Sequence, residues 1–440
     1  MVDRAAFMED LKSIDRDIAN QRQSFCTPFL VNAMLAMGCA HSVNYQYSTG
    51  LKSNAEEGLR FSSEARRIIE SECPGPSIPL LQTYCLLWFF DGVCGDGTLA
   101  VQYFNDACEV YRQLMGNFEG SLHPNQREQT RHRATLHALW GFWCTNAKSC
   151  LAFGEPAKDV PQPREGYRPT FPDDDSRYWF AYPVSLKPFD SHLEELFLAE
   201  QNLSKIVHDL LVTCQEVKRA TSQIHKDVFA ASYTRLLDWK AQLPNYLKVE
   251  ESVLPSVMVL HSTFEVAAMI LLEPMAMAKF PPLERQLDPV ALSEAHAASA
   301  MAIIWKYRSM YSLRHEYWFC QGCVSAAKAV IQKLVPGTPY VDIFVKACQA
   351  LREIGDNVNV ANQYLRVIRA LLTAHKVKLP KALVQYLTGL ETLAGTAYID
   401  KAYMSVDSKS VTKGSSSLEK DLFTVSELIQ SYDDAVVDVE

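Results

Sequence analysis

Glycine is scarce in this sequence, and its scarcity argues against two large classes of protein. The 440 residues include only 18 glycines, about 4% against a usual share of roughly 7%. Hairpin-rich β folds and phosphate-binding loops both need glycine at fixed positions. The short motifs of zinc proteases, nucleotide-binding proteins and α/β-hydrolases are also missing from the sequence. We therefore expect no cofactor and no metal ion.

Positive charge is also in deficit. The chain has 43 Lys and Arg residues against 51 Asp and Glu residues, which gives a formal net charge of −8. Proteins that hold nucleic acid neutralise its phosphates with clustered cations. No direct contact with DNA is expected from this chain.

Neither of the longest apolar stretches noted in the sequence is long enough for a membrane span. Residues 29–40 and 80–90 are both well short of the roughly 20 residues that a spanning helix needs. The first twelve residues include Asp3, Glu9 and Asp10, unlike the apolar core of a secretory signal. We expect a soluble chain that is made in the cytosol and contacts no membrane.

Cysteine is present, and most of the twelve cysteines lie inside apolar runs. This pattern favours buried, reduced thiols that behave as small hydrophobic side chains. The one close pair, Cys320 and Cys323, has the C-x-x-C spacing of redox centres and half zinc sites. A zinc site would need a second pair of matching spacing, so the buried-thiol interpretation is favoured.

Helical periodicity dominates the rest of the chain. Apolar residues recur at three-to-four spacing in several segments, for example at Val207, Leu210, Cys214 and Val217. Alternation at period two is nearly absent, so the predicted fold class is all-α.

Two segments, residues 29–40 and 83–90, are apolar all round. Such helices are typical of the centre of a packed bundle. They predict a single large multi-helix bundle domain over residues 1–404. Asp288-Pro289 and Thr338-Pro339 each place a capping side chain before a proline, which predicts helix starts at both positions.

A long proline-rich internal loop is predicted over residues 154–190, which hold seven of the 21 prolines. No helix tolerates that density of proline. The loop carries Tyr178, Trp179, Phe180 and Tyr182, and we expect these aromatic side chains to pack on the helical body.

The C-terminal tail, residues 405–440, differs in composition from the rest of the chain. A Ser/Lys-rich linker is followed by bulky apolar residues among acidic ones. This composition is typical of a disordered acidic segment that either docks into a partner's groove or has no role.

The clearest candidate site lies on one predicted helix. Arg133, His137 and Trp140 fall on one face and could line a cavity, with Trp143 nearby as a further ligand-pocket candidate. His137 would act as general acid or base and Arg133 would hold an anionic or carbonyl group. The alternative is an ordinary core helix with one hydrogen-bonded histidine.

Two further aromatic clusters are candidates. Trp88 would line a ligand pocket, and Asp91 at the end of the same apolar helix would be an acid or base with a raised pKa. Asp91 could equally be a helix-end residue that faces water. Tyr317 and Trp318 form the other candidate wall, a type of cluster that belongs more often to a core than to a cofactor site.

Several segments, taken in order, resemble one family. In one of them Asp238, Trp239 and Lys240 stand before Leu243-Pro244. Together they resemble the fungal-specific transcription factor domain, the middle homology region of zinc-cluster regulators. The matching segments are residues 24–42, 61–69, 76–84, 100–115, 133–143, 238–244 and 295–314. The resemblance covers about residues 5–380 and implies an all-helical regulatory domain that senses a signal and contacts partners.

Two departures from the family pattern bear on function. No cysteine triple has the C-x2-C-x6-C spacing of the zinc cluster, so DNA binding is not carried over. The family's Asp-Arg pair is replaced by Thr145-Asn146, and its Gly-Arg-Pro turn reads Gly154-Glu155-Pro156. Loss of both charged groups indicates relaxed or redirected function in this block.

Two functional hypotheses therefore stand. The first is a nuclear transcription regulator without its own zinc cluster, for which the resemblance implies a role specific to a secondary-metabolite pathway. Its partners would be other transcription factors or co-regulators, and a small-molecule ligand and homodimerisation are open options. The second is a cytoplasmic, cofactor-independent cyclase or isomerase evolved from the same fold, in which an aromatic cavity orients an apolar substrate.

Overall fold

The computed structural model describes most of the chain. The described residues are 2–13, 24–41, 54–94, 96–117, 126–153, 160–171, 177–181, 186–219, 226–277, 288–375, 377, 385, 387, 403–405 and 422–424. This part contains thirteen α-helices and two short antiparallel strand pairs. The predicted all-α class is confirmed.

The helices follow one another along the chain with short connections in most places. They are α1 (Arg4–Ser13), α2 (Pro28–His41), α3 (Asn54–Glu72), α4 (Ile78–Cys94), α5 (Gly97–Asn117), α6 (Gln126–Phe153), α7 (Leu193–Arg219), α8 (Lys226–Gln242), α9 (Pro255–Met277), α10 (Pro289–Met310), α11 (Phe319–Val330), α12 (Pro339–Gly355) and α13 (Asn359–Ala374). The strand pairs are β1 (Tyr178–Phe180) with β2 (Pro188–Asp190), and β3 (Tyr403–Ser405) with β4 (Leu422–Thr424).

Residue contacts divide the chain into two compact units. Unit 1 comprises Met1–Asn146 and Ala157–Gln201, and unit 2 comprises Ala147–Pro156 and Asn202–Glu440. The limits of the single domain predicted over residues 1–404 stay a prediction.

Unit 1 is built around α4 and α6. Helix α2 packs on α3 and α4, and α4 packs on α5. Aromatic side chains fill the core, with Tyr111, Trp140, Phe142 and Trp143 almost completely buried. The hydroxyl group of Tyr111 donates a hydrogen bond to the Pro161 carbonyl at 2.7 Å, so this large side chain is buried without an unpaired polar atom.

The two helices that are apolar all round have different environments. Most of α4 is buried, as predicted, including Leu81, Leu87 and Phe90. In α2 only one stripe is buried, at Phe29, Leu30, Ala33 and Ala36, while Leu35 is 44% exposed. The prediction that α2 is surrounded by other helices is therefore wrong for the described residues, because its neighbours α3 and α4 cover a single face.

Unit 2 is organised around α9. This helix packs on α8, α10 and α11, and α11 in turn packs on α12 and α13. The stretch Pro255–Glu273 is apolar and long enough for a membrane span, but 78% of it is buried inside the fold. It is the core helix of this unit.

Two helix starts test the predicted capping signals. Asp288 caps α10, because its carboxylate accepts a hydrogen bond from the Val290 N–H at 3.0 Å. Thr338 precedes α12 as predicted, but its hydroxyl group does not cap the helix and donates instead to the Val335 carbonyl at 2.7 Å. Proline at the first helical position is common to both starts.

The proline-rich segment is partly described, and Arg177 is the one residue with helical structure among its described residues. Strands β1 and β2 pair within it, with Trp179 opposite Phe189. Tyr178 and Phe180 are more than two-fifths exposed, so the prediction that they pack on the helical body is wrong. Tyr182 lies outside the described residues. Residues 160–171 supply Tyr167 and Phe171 to unit 1 instead.

Most of the predicted C-terminal linker and acidic tail lies outside the described residues. Within it, β4 pairs with β3 so that Phe423 lies opposite Met404. Disorder of the tail stays a prediction.

Candidate functional site

Asp3, Arg133 and His137 form a polar cluster in unit 1. Arg133 donates two hydrogen bonds to Asp3, from Nε to Oδ2 at 3.0 Å and from Nη2 to Oδ1 at 3.3 Å. His137 Nδ1 lies 3.3 Å from Asp3 Oδ2. The side chains of Asp3 and His137 are each only 5% exposed.

Local structure places these three groups together. Asp3 stands directly before α1, and its Oδ1 accepts a hydrogen bond from the Ala6 N–H at 3.0 Å, as an N-cap carboxylate does. Arg133 and His137 are four residues apart on α6 and therefore share a face. One carboxylate thus ties the start of α1 to the middle of α6.

The donors around Asp3 decide its charge. Burial alone would raise the pKa of Asp3, but hydrogen bonds from His137, Arg133 and the Ala6 N–H hold that pKa well below its ordinary value. Asp3 is therefore an ion at neutral pH and accepts a hydrogen bond from the Nδ1–H group of His137. Arg133 supplies the charge that balances it.

His137 also lines a small cavity. The cavity has a volume of about 190 Å³ and is lined by Val2, His137, Phe171, Leu193, Leu196, Phe197 and Glu200. The His137 ring stacks on Phe171, with centroids 4.6 Å apart, and meets Phe197 edge-on at 5.8 Å. Its Nε2 is buried and has no hydrogen-bond partner among the described residues. The cavity is thus mostly apolar, with His137 and Glu200 as the polar residues of its lining.

Tyr167 lies against the same histidine. Its ring meets that of His137 edge-on at a centroid distance of 5.7 Å. Its hydroxyl group is buried and lacks a hydrogen-bond partner among the described residues. Burial raises the pKa of Tyr167, so this hydroxyl group is neutral.

The tryptophans predicted to line a ligand pocket, Trp140 and Trp143 beside His137 and Trp88 in a separate cluster, lie away from the cavity. Trp140 and Trp143 are 1% exposed and meet edge-on, with centroids 5.6 Å apart, in the core of unit 1. Neither residue lines the cavity beside His137. Trp88 is also buried and stacks on Phe89 at 4.5 Å. The structure therefore brings His137 and Arg133 together but not these three tryptophans.

Asp91 forms a separate buried ion pair. Arg66 Nη2 donates to Asp91 Oδ1 at 2.5 Å, while Asp91 Oδ2 has no hydrogen-bond partner among the described residues. Burial raises the pKa of Asp91 to about 6, because desolvation outweighs the opposing effect of Arg66. The carboxyl group is 4% exposed, so Asp91 does not face water.

Tyr317 and Trp318 belong to unit 2. They meet edge-on with centroids 5.5 Å apart just before α11, and the ammonium group of Lys148 lies 4.6 Å from the Trp318 ring centre. Both are half-buried. This geometry is a cation–π contact at a helix start.

A second histidine–carboxylate pair was not singled out from the sequence. Glu265 on α9 is 1% exposed and lies 2.5 Å from His296 Nδ1, while Lys240 Nζ donates to its other oxygen at 2.9 Å. His296 Nε2 lies 2.9 Å from the Tyr233 hydroxyl group. We name these four residues the closed network, because both ring nitrogens of His296 have partners.

The cysteines form no visible site among the described residues. Cys320 and Cys323 are free thiols buried in α11, and burial raises the pKa of both. No group of three or more His, Cys, Asp or Glu side chains in the described part of the chain is arranged to hold a metal ion.

Comparison with known proteins shows which family the chain belongs to. Residues 1–251 match the model of the fungal specific transcription factor domain, which is more than half of the 440 residues. The chain belongs to this family. Of its Asp238-Trp239-Lys240 segment, Lys240 belongs to the closed network through its bond to Glu265, and Trp239 stacks on Phe264 with ring centroids 5.7 Å apart.

Several characterised relatives of the fungal-specific domain are transcription factors. The nitrogen assimilation transcription factor nit-4 of Neurospora crassa is 25% identical over 81% of this chain and 34% of its own length. The notoamide biosynthesis transcriptional activator notL' of Aspergillus versicolor is 26% identical over 59% of this chain and 40% of its own length. The nitrogen assimilation transcription factor nirA of Emericella nidulans is 22% identical over 82% of this chain and 42% of its own length.

The chain thus spans about a third to two-fifths of the length of these relatives. No solved structure matches the chain. The altered turn at Gly154-Glu155-Pro156 lies outside the described residues of this fungal-specific domain.

Proposed function

We propose that this chain acts as a regulatory domain of transcription in a fungal cell, without DNA contacts of its own. The observation that carries this proposal is membership of the fungal-specific family over residues 1–251, with relatives named as transcription factors. The net charge of −8 agrees with a role in binding other proteins rather than phosphates. Its partners would be transcription factors or co-regulators that bind DNA themselves, and it would work in the nucleus.

A pathway-specific role is the finer form of the proposal. It is supported by the likeness to notL', whose name describes an activator of notoamide biosynthesis. By analogy, this chain would control one set of biosynthetic genes. Homodimerisation stays a prediction.

A tethering assay tests the proposal. The full chain is fused to a heterologous DNA-binding module, and transcription of a reporter with the matching binding sites is measured in a fungal host. We expect the fusion to raise or lower reporter transcription several-fold relative to the module alone. A second fusion that ends at residue 404 shows whether the acidic tail carries the effect. Unchanged transcription with a stable, nuclear fusion would contradict the proposal.

The second candidate, a cofactor-independent cyclase or isomerase, is favoured by one specific feature. His137 is one of the residues that line a mostly apolar cavity, and its Nδ1 lies 3.3 Å from the Asp3 carboxylate, which Arg133 also binds. A histidine held in this way could act as the acid or base of such a reaction. The cavity of about 190 Å³ is smaller than most drug-sized ligand pockets, which measure roughly 300–1,000 Å³, so it would hold only part of a large substrate.

The enzyme alternative has its own assay. The purified chain is incubated with metabolites produced by its neighbouring genes, and the products are separated by mass. Conversion that disappears in His137→Phe would favour the enzyme over the regulator. Conversion that survives in this variant would place the chemistry away from His137.

A further inference from the structure

Threonine is followed by proline at two places in the chain, Thr27-Pro28 and Thr338-Pro339, and serine is never followed by proline. Both threonines stand directly before a helix that begins with the proline, α2 in one case and α12 in the other. The two pairs differ in whether the hydroxyl group caps its helix and in what precedes the threonine. They therefore allow a comparison within one chain.

Thr27 is held by the fold on both sides. Its Oγ1 accepts a hydrogen bond from the Leu30 N–H at 3.4 Å, as the side chain of an N-cap residue does. Cys26 before it is 4% exposed, and the Phe25 N–H donates to the Asp10 carboxylate at 2.5 Å. An enzyme that binds this segment in extended form would have to break the cap and draw Cys26 out of the core.

Thr338 instead follows an exposed turn. Val335 is 60% exposed, and Pro336 and Gly337 are exposed as well. The Thr338 N–H donates to the Val335 carbonyl at 3.1 Å, and Gly337 has a φ of +85°, which fits a type II turn with proline at its second position and glycine at its third. A surface turn with few buried contacts opens at low cost.

The Thr338 hydroxyl group is not used to hold α12. It donates to the Val335 carbonyl at 2.7 Å in a hydrogen bond at the exposed surface, and α12 has no side-chain cap. The Thr338 backbone is already extended, with φ −89° and ψ 154°, as a following proline favours. Chemical modification of this hydroxyl group therefore costs the fold one exposed hydrogen bond and no helix cap.

The residues around Thr338 match the substrate preference of one class of enzyme. Pro336 stands two residues before the threonine and Pro339 directly after it. Proline-directed protein kinases require the second of these prolines, which has no backbone N–H, and several of them also prefer the first. We propose that Thr338 is a phosphorylation site for a kinase of this class.

The reaction is an ordinary phosphoryl transfer from ATP. Thr338 Oγ1 attacks the γ-phosphorus, the bond from that phosphorus to the bridging oxygen breaks, and ADP leaves. The hydroxyl proton passes to the aspartate base of the kinase. No oxidant or reductant takes part.

The surroundings of Thr338 can accept the added charge. A phosphate group carries about −1.5 to −2 charges at pH 7. Lys333 supplies a cation close to the first turn of α12, because its Nζ lies 5.5 Å from the Tyr340 ring centre. Lys333 is paired with Glu294, so the phosphate group would compete with this carboxylate. An effect on transcription rests on the proposed regulatory function, whereas the phosphoryl transfer does not.

An in vitro kinase assay tests the proposal. The purified full chain is incubated with a mitogen-activated protein kinase and Mg-ATP, and tryptic peptides are analysed by mass spectrometry. Thr338 is the only serine or threonine of the expected peptide 334–346. We expect a phosphoryl group on this peptide, added roughly 10-fold faster or more than at Thr27, whose cap and packed neighbours must open first. A synthetic peptide of residues 334–346 serves as the accessible reference substrate.

Three variants locate the site. Thr338→Ala should remove most of the label from the whole chain. Pro339→Ala keeps the hydroxyl group and should slow the transfer about 10-fold or more, as the loss of one apolar contact in a specificity pocket does. Thr27→Ala is the matched control at the other Thr-Pro pair and should leave the labelling unchanged.

Labelling of the synthetic peptide but not of the folded chain would overturn the proposal, and so would failure to label either. Faster labelling at Thr27, or an unchanged rate in Pro339→Ala, would overturn it as well. Because the native chain alone gives the first results, the test does not depend on the folding of a variant. Labelling at Thr338 together with a silent tethering assay would retain the site and reject the regulatory function.

Discussion

Each of the two units contains a buried carboxylate beside a histidine. The two pairs differ in how many ring nitrogens of the histidine have a hydrogen-bond partner. In the closed network of unit 2, His296 has Glu265 on one nitrogen and Tyr233 on the other. In unit 1, His137 has Asp3 on one nitrogen, and the other nitrogen has no hydrogen-bond partner among the described residues. The first arrangement gives both ring nitrogens a partner, whereas the second leaves one ring nitrogen without a partner in the described part of the chain. Completeness of hydrogen bonding, rather than residue type, separates a structural histidine from a candidate binding histidine.

Removal of the central carboxylate should break the closed network with the largest effect. Glu265→Ala leaves the Lys240 ammonium group and His296 without their acceptor, and such a loss costs about 3 kcal/mol or more. Urea unfolding followed by circular dichroism measures it. Glu273 lies on the same helix and is the more exposed partner of Lys328. Glu273→Ala should therefore cost below about 1 kcal/mol of stability. Equal losses of stability in the two variants would contradict a larger contribution from the closed network.

A third buried carboxylate, Asp91, sharpens the comparison because it has a single side-chain donor. Its pKa is raised to about 6 from an ordinary 3.8, so the folded state binds a proton more readily than the unfolded state between these values. Stability from this group is therefore present below about pH 4 and is lost as the pH rises through 6. Asp91→Asn mimics the protonated carboxyl group. The unfolding free energy of the variant minus that of the native chain should therefore rise by about 2–3 kcal/mol between pH 4 and pH 7.

The readout for Asp91 is the difference in unfolding free energy between the native chain and the variant at each pH. Other titrating groups cancel in this difference. Asp3 should behave in the opposite way, since its lowered pKa keeps its stabilisation above about pH 4 and loses it in more acidic solution. A constant difference for Asp91→Asn across the range would contradict the assigned shift.

One substitution made in both pairs tests their difference directly. His296→Phe leaves Glu265 Oε2 and the Tyr233 hydroxyl group without a partner, and we expect a loss of about 2 kcal/mol. His137→Phe leaves Asp3 with Arg133 and the Ala6 N–H, so the expected loss is about 1 kcal/mol or less. The midpoints of chemical denaturation compare the two variants. The reverse order would mean that His137 stabilises the fold more than His296 does.

The smallest expected effect concerns two tyrosine hydroxyl groups. Tyr233→Phe removes a hydrogen bond to His296 at 2.9 Å and should cost about 1 kcal/mol. Tyr167→Phe removes a buried hydroxyl group that has no partner among the described residues and should be neutral or slightly stabilising. Differential scanning calorimetry resolves both changes. A clear loss in Tyr167→Phe would reveal a partner for that hydroxyl group.

Local pattern predicted much of the fold. The helical class and the cap at Asp288 depend on neighbours within a few residues, and the apolar composition of α4 predicted its burial correctly. Burial of α2 could not be predicted in the same way, because apolar composition does not reveal how many helices cover a segment. Leu35 is exposed although it lies in an apolar run. The sequence also did not reveal that the Thr338 hydroxyl group donates to the Val335 carbonyl instead of capping α12.

The candidate site was predicted in part. Arg133 and His137 could be placed on one face because helical spacing determines it. Their partner Asp3 is 130 residues away in sequence, and Glu265 and His296 are 31 residues apart. No spacing rule links such distant positions. An Asp directly before α1 did carry a signal, since it is a favoured N-cap residue, but that signal concerns α1 rather than α6.

Because Asp3 contacts His137, changes to the first residues of the chain can affect the site. Val2 lines the cavity and Asp3 orients its imidazole, so any peptide joined ahead of Val2 leaves the fold beside the cavity mouth. An affinity tag or a fused module at that end would be a neighbour of the site. Loss of Asp3 would remove the carboxylate that lies against His137, so the site depends on this residue as well as on α6, α7 and residues 160–171.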